Sequence, residues 1–339
     1  MPVSPRRRAL FVSVLCVLAL AACEGVARVL PARLTTDRGS VVREITGDDS
    51  FVSDGEVPGW DINPNGGSEW GTRYTTNKWQ MRGPDYPDPK PAGAKRVIFV
   101  GDSSVFGVLL DWPDTFSARF ERLRDAANPG VDWQVANCAC PGHSTEQSIR
   151  KLERKCLAFE PDYVVIANQF SDATRESAAD IERFGLAREV PLTRVAEHSA
   201  AYRLARNTWL RVRGAEATVA HVIPQMGTPQ PGSVDRVPPD EYAENLRRMV
   251  KMTRDAGAVP VFLLLAAAED VDNIDAPSTS GPYREKMRLV AEDLDVPLAD
   301  AETQFKALPR LDGLFEDAVH PGPVGAGFLS LLLDGTVPR

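Results

Sequence analysis

The chain has little of what metal centres are built from, with four histidines and five cysteines among 339 residues. His198 and His221 have no second histidine or spaced carboxylate beside them, and Cys138-x-Cys140 has no nearby histidine pair. Neither pattern has metal-ligand spacing, so no metal is expected. Internal repeats, low-complexity tracts and long blocks of like charge are also missing. The net charge of −8 is spread along the chain, which reads as solubility and offers nucleic acid no partner surface. Gly322-x-x-Gly325-x-Gly327 follows no strand, so it is not a dinucleotide loop, and no cofactor is expected. A Gly-x-Ser-x-Gly elbow is absent too, which argues against the ordinary α/β-hydrolase fold.

What the chain does have begins at its N-terminus. Three arginines, Arg6 to Arg8, precede the uncharged apolar stretch Ala9 to Ala22. A basic start, a short apolar core and small residues describe an export signal over residues 1–22. That core is shorter than the roughly 20 residues that span a bilayer. Extending it to Leu30 gives the length but encloses Glu24 and Arg28. Leu20-Ala21-Ala22-Cys23 resembles the lipobox of bacterial lipoproteins, which implies lipidation of Cys23; the alternative is an uncleaved anchor. Either way the remainder is expected outside the cytoplasm and tethered to a membrane, in the periplasm or cell envelope. Residues 23–59 are expected to form a membrane-proximal linker and residues 60–339 the folded domain.

Setting aside Cys16 and Cys23, three cysteines remain, so at most one disulfide forms within the chain. Cys156 can pair with Cys138 or Cys140. It can equally be a buried thiol on a helical stripe with Ile149, Leu152 and Phe159.

Residues 60–95 are dense in glycine, proline, asparagine and aromatics and predict a collar of loops and short hairpin strands. Strands buried on both faces are then expected at Val97 to Val100, Val131 to Asn137, Asp162 to Ala167 and Val259 to Leu265, with a short fifth at Val296 to Leu298. Between them the spacing predicts helices from Asp114 to Asp125, Ser144 to Phe159, Pro239 to Ala256 and Pro282 to Leu294, with a last one from Val324 to Leu333. Ser144 and Gln147 form a capping box for the second. Residues 173–235 show no clear strand order and read as an insertion beside the site. Alternating strands and helices predict a parallel sheet covered on both faces. The strands' carboxyl ends then share one edge, where ligands bind in open α/β sheets. Ser103, Gly142 and residues 168–172 all fall on that edge.

Gly101-Asp102-Ser103 with Val105-Phe106-Gly107, Asn137 through Gly142, and Asp317-x-x-His320-Pro321 resemble the blocks of the SGNH, or GDSL, hydrolase superfamily, in order and in register with the strands. The resemblance covers about Thr75 to Leu333. It implies a three-layer α/β/α sandwich around a mostly parallel five-stranded sheet, and ester hydrolysis or acyl transfer through a serine-bound acyl group. It assigns Ser103 as nucleophile, His320 as base and Asp317, one helical turn earlier, as the group that orients the imidazole. The N–H groups of Ser103 and Gly142 would face the oxyanion. The third block normally reads Gly-x-Asn-Asp and here reads Gln169-Phe170-Ser171-Asp172, so Ser171 stands where the asparagine donor is expected. Asn168 is the alternative third donor. His143, next to Gly142, can line the pocket or be structural. The function expected is an exported serine esterase or deacylase acting on O-acyl esters of envelope or extracellular glycans or lipids. The alternatives are a glycan O-acetyltransferase with the same triad, and a catalytically weak binding or assembly lipoprotein.

Overall fold

The chain is represented by a computed structural model that describes residues 5–30, 51–53, 60–64, 66–69, 72–176, 179–182, 199–212, 232–272, 280–308 and 311–338. His198 and His221 lie outside these residues. So does most of the 23–59 linker.

Lys95–Val100 forms strand β1 because its apolar residues serve two cores at once. Val97 and Phe99 enter one cluster, Ile98 and Val100 the other. Trp133–Asn137 (β2), Tyr163–Ile166 (β3), Val259–Leu264 (β4) and Leu298–Asp300 (β5) complete a five-stranded sheet in the order β5-β4-β3-β1-β2. Every neighbouring pair is parallel. The protein is therefore an α/β fold with a wholly parallel sheet, in a doubly wound order whose direction reverses between β1 and β3. Such a reversal opens a crevice at the strands' carboxyl ends.

Helices cover both faces. The helix Phe116–Ala127, between β1 and β2, buries Phe116 and Phe120 in the same cluster as Leu329 and Leu333 of the last helix, Pro323–Thr336. On the other face lie Thr145–Arg154, Pro239–Asp255 and Gly281–Leu294, which bury Leu152, Leu246 and Met287. Crossovers of one hand require this split, since only β1 to β2 runs against the general direction of the sheet.

Several sequence expectations shift. The fifth strand begins two residues later than expected. Pro297 offers the ladder only its carbonyl, which accepts from Phe262 N–H at 2.8 Å, so pairing starts at Leu298. The helix expected through Phe159 ends at Arg154 and tightens into a 3₁₀ turn over Cys156–Phe159, where a disulfide joins Cys156 to Cys138. Cys140 remains a buried thiol. Gly322 and Gly325 serve close packing. A Cβ on them would lie 2.4 Å from the Gly313 carbonyl oxygen and 2.1 Å from that of Leu314.

At the N-terminus a single helix, Pro5–Val29 (α1), runs through Cys23 and beyond the expected apolar core. Glu24 and Arg28 fit within it because they pair one turn apart at 2.8 Å. Its segment Phe11–Val29 is long and apolar enough to cross a membrane. Glu24 also accepts the hydroxyl of Ser199 at 2.8 Å and the N–H groups of Ala200 and Ala201 at 3.1 Å. It thereby caps Ala200–Val212 (α2), a helix within residues 173–235. Arg175–Glu176 and Val234–Asp235 pair as two short antiparallel strands. In the collar, Phe51–Ser53 pairs with Trp60–Ile62 and Gly67–Glu69 with Thr72–Tyr74, both antiparallel.

Candidate active site

Asp102 and Ser103 follow β1, and the turn they make is held from inside. The Asp102 carboxylate is fully buried; one oxygen accepts the N–H of Ser104 at 3.0 Å and the other the N–H of Ser171 at 3.1 Å. Burial pushes its pKa up, against these two donors. It caps a one-turn helix, Ser103–Phe106. The far end of that turn is held by two side chains. Arg82 donates to the carbonyls of Phe106 and Gly107 at 2.8 Å, and Asn137 donates to that of Val105 at 2.7 Å.

Ser103, Asp317 and His320 come together across the whole chain. The Ser103 Oγ lies 2.9 Å from His320 Nε2, and His320 Nδ1 lies 2.6 Å from Asp317 Oδ2. The second Asp317 oxygen accepts the N–H groups of Val319 and His320, both at 2.9 Å. The expectation of a helical turn here is corrected: residues 311–322 form a loop, and the Asp317 carboxylate itself organises it. Ser104 Oγ ties this loop to the serine turn by donating to the Val319 carbonyl at 3.1 Å. Partial burial works against ionising Asp317, but the hydrogen bonds from the His320 ring and the two N–H groups outweigh it and hold the carboxyl below its usual range. An imidazole that donates Nδ1–H to this carboxylate presents Nε2 as an acceptor to the Ser103 hydroxyl.

The other expected residues separate. The N–H groups of Ser103 and Gly142 are donated to no described residue. Asn168 gives one N–H of its side-chain amide to the His143 carbonyl at 3.1 Å, which leaves its second N–H as a donor. Ser171 uses its N–H on Asp102, while its hydroxyl bonds to no described residue. His143 is buried rather than pocket-lining. Its Nε2 meets the Trp60 carbonyl at 2.7 Å, and burial, then the Lys151 charge, pulls its pKa down to about 3. Among the described residues no cluster of histidines, cysteines and carboxylates could hold a metal.

Sequence reasoning missed Arg82, Trp60 and Arg236, which hold the site's backbone without belonging to any motif. A tryptophan at the mouth of the collar was a usable signal, since a buried indole N–H demands a partner. Beside the site, a cleft of about 340 Å³ is lined by residues including Val271, Leu311, Phe315 and Asp317.

A model of the GDSL-like lipase/acylhydrolase family matches residues 99–327. Similar solved structures include a lipase/acylhydrolase from Enterococcus faecalis, at 16% identity and a TM-score of 0.46, covering 72% of this chain and 98% of that one. Another is Axe2, an acetylxylan esterase from Geobacillus stearothermophilus, at 17% identity and a TM-score of 0.45, covering 70% of this chain and 92% of that one. No curated protein matches the chain.

Next to Ser171, Asp172 is fully buried and one of its oxygens has no hydrogen-bond partner among the described residues. Burial raises its pKa to about 8, against the bonds it accepts from Thr145. An unfolded Asp titrates near 3.9, so between about pH 4 and about pH 8 the native state keeps a proton that the unfolded state releases. This group therefore makes stability fall as pH rises through that window. Asp172→Asn retains an acceptor for Thr145 without the charge. Its denaturation midpoint relative to wild type should climb from pH 4 to pH 8 and then level off. A difference that stays constant with pH contradicts this.

Proposed function

The chain belongs to the GDSL-like lipase/acylhydrolase family, and within it we propose an esterase that cleaves O-acyl esters through an acyl group carried on Ser103. The carrying observation is the run of two hydrogen bonds from Ser103 through His320 to Asp317. Ser103 Oγ attacks the ester carbonyl as His320 Nε2 takes its proton. The tetrahedral oxyanion is met by the N–H groups of Ser103 and Gly142 and by the Ser171 hydroxyl. His320 then passes the proton to the departing alkoxide, leaving acyl-Ser103. Water, deprotonated by His320, attacks this ester; the carboxylic acid leaves and Ser103 recovers its proton. Asp317 holds the imidazole in the tautomer required and stabilises its charged form.

We place the enzyme outside the cytoplasm and at a membrane, with O-acyl groups of envelope or extracellular glycans or lipids as substrates. The helix Phe11–Val29 supports this placement by its length and apolarity. Lipidation at Cys23 is compatible with the packing, because cleavage after Ala22 leaves Glu24 in place to cap α2.

Kinetics on p-nitrophenyl acetate test the chemistry. Ser103→Ala should remove nearly all turnover, and Asp317→Asn should lower it by up to about 10⁴ with the fold intact. Ser171→Ala should lower kcat and leave KM unchanged, as loss of a bond made in the transition state does. Turnover that survives Ser103→Ala excludes the mechanism. A glycan acceptor that captures the acyl group in preference to water would instead make the enzyme a transferase.

Processing tests the anchor. Cys23→Ser should abolish lipid labelling and leave a longer, uncleaved precursor. A wild-type protein that keeps residues 1–22 in the membrane contradicts lipidation and makes α1 the anchor.

A further inference from the structure

Cys140-Pro141-Gly142-His143 is a tight turn closed by the His143 N–H on the Cys140 carbonyl at 3.0 Å. Gly142, its third residue, has φ +76°, the value of a type II turn and one that favours glycine. Type I and type II turns differ by a half-rotation of the central peptide, here Pro141–Gly142. The C=O and N–H of a trans peptide point in opposite directions. Whatever fixes the Pro141 carbonyl therefore fixes the direction of the Gly142 N–H.

Two buried side chains from outside the family's motifs act on this segment. Trp60 donates its indole N–H to the Pro141 carbonyl at 2.9 Å. Arg236 donates from Nη1 to the Gly142 carbonyl at 2.7 Å. Each is itself held. His143 Nε2–H donates back to the Trp60 carbonyl at 2.7 Å, and the indole meets the imidazole edge-on with centroids 5.4 Å apart. Arg236 pairs with Asp180 at 2.8 Å and donates to the Gln147 Oε1 of the capping box at 2.7 Å. The two carbonyls flanking the Gly142 Cα are thus both occupied, while its N–H is donated to no described residue.

We propose that Trp60 and Arg236 are positioning residues that lock the Pro141–Gly142 peptide in its type II orientation and aim the Gly142 N–H at the oxyanion. The inference rests on the reading of Gly142 as an oxyanion donor. Both act through the backbone carbonyls of Pro141 and Gly142. A hydrogen bond accepted by a peptide carbonyl also polarises that peptide and makes its N–H a stronger donor. A donor held rigid before the reaction needs no reorganisation as charge develops. Trp60 lies ahead of residues 99–327, so the collar supplies part of the active-site scaffold.

The test compares p-nitrophenyl acetate with its thionoester, whose sulfur accepts hydrogen bonds poorly and so gains less from the donor. Trp60→Phe in the full chain keeps an aromatic ring and deletes the N–H. It should lower kcat on the oxygen ester by about tenfold or more, up to the roughly 10²–10³ that loss of a whole oxyanion donor costs. KM should stay unchanged and the loss on the thionoester should be distinctly smaller. Arg236→Lys, which retains a cation for Asp180 but gives up the guanidinium fork, gives a second reading of the same ratio if Trp60→Phe fails to fold. An equal loss on both esters, or no loss, overturns the proposal. Ser103→Ala run alongside separates the two layers, because turnover that persists in it defeats the reading of Ser103 itself and not merely the clamp.

Discussion

One buried carboxylate joins the two halves of the site. Asp102 leaves β1 and accepts from Ser104 on one side and from Ser171, in the loop after β3, on the other. These loops meet where the strand order reverses. A carboxylate with no exposure is costly to bury, and it persists because both oxygens receive backbone donors. Removing it would release the cap of the serine turn and the third loop together.

The rest of the site is built in the same way, with long polar side chains satisfying loop carbonyls. Arg82 reaches from the collar to the end of the serine turn, Trp60 to Pro141, and Arg236 to Gly142. Loops at a sheet edge leave carbonyls that no ladder uses, and a buried carbonyl without a partner is destabilising. Arginine suits the task because its planar fork can serve two or three acceptors at once. Segments outside the central sheet thereby hold the loops at its carboxyl edge.

The sheet and the three principal residues were legible because local signals carry them. Ser103 follows an apolar run ended by glycine, and His320 is bracketed by a carboxylate three residues earlier and a proline after it. The pairing of Asp317 with His320 was readable from that spacing, although the loop that supports it was not, since three residues bridge the same gap in a turn as in a helix. Asn168 looked like a spare donor from sequence, and the fold gives one of its two amide N–H groups to the His143 carbonyl. The roles of Trp60, Arg82 and Arg236 left no periodic trace. Each depends on a carbonyl many residues away, and that distance collapses only when the sheet forms. The edge strand β5 was misplaced for a different reason: three residues beside a proline give too little pattern to set a register.

A Ser103 made nucleophilic by His320 would carry the acyl group long enough to be trapped. Rapid quenching of the full-length protein with an activated acetyl ester, followed by peptide mapping, addresses it directly. An early burst of alcohol release and one acetyl group on the peptide bearing Ser103 are expected. A steady release without a burst, in which acetyl is found on no residue or on a residue other than Ser103, would contradict it.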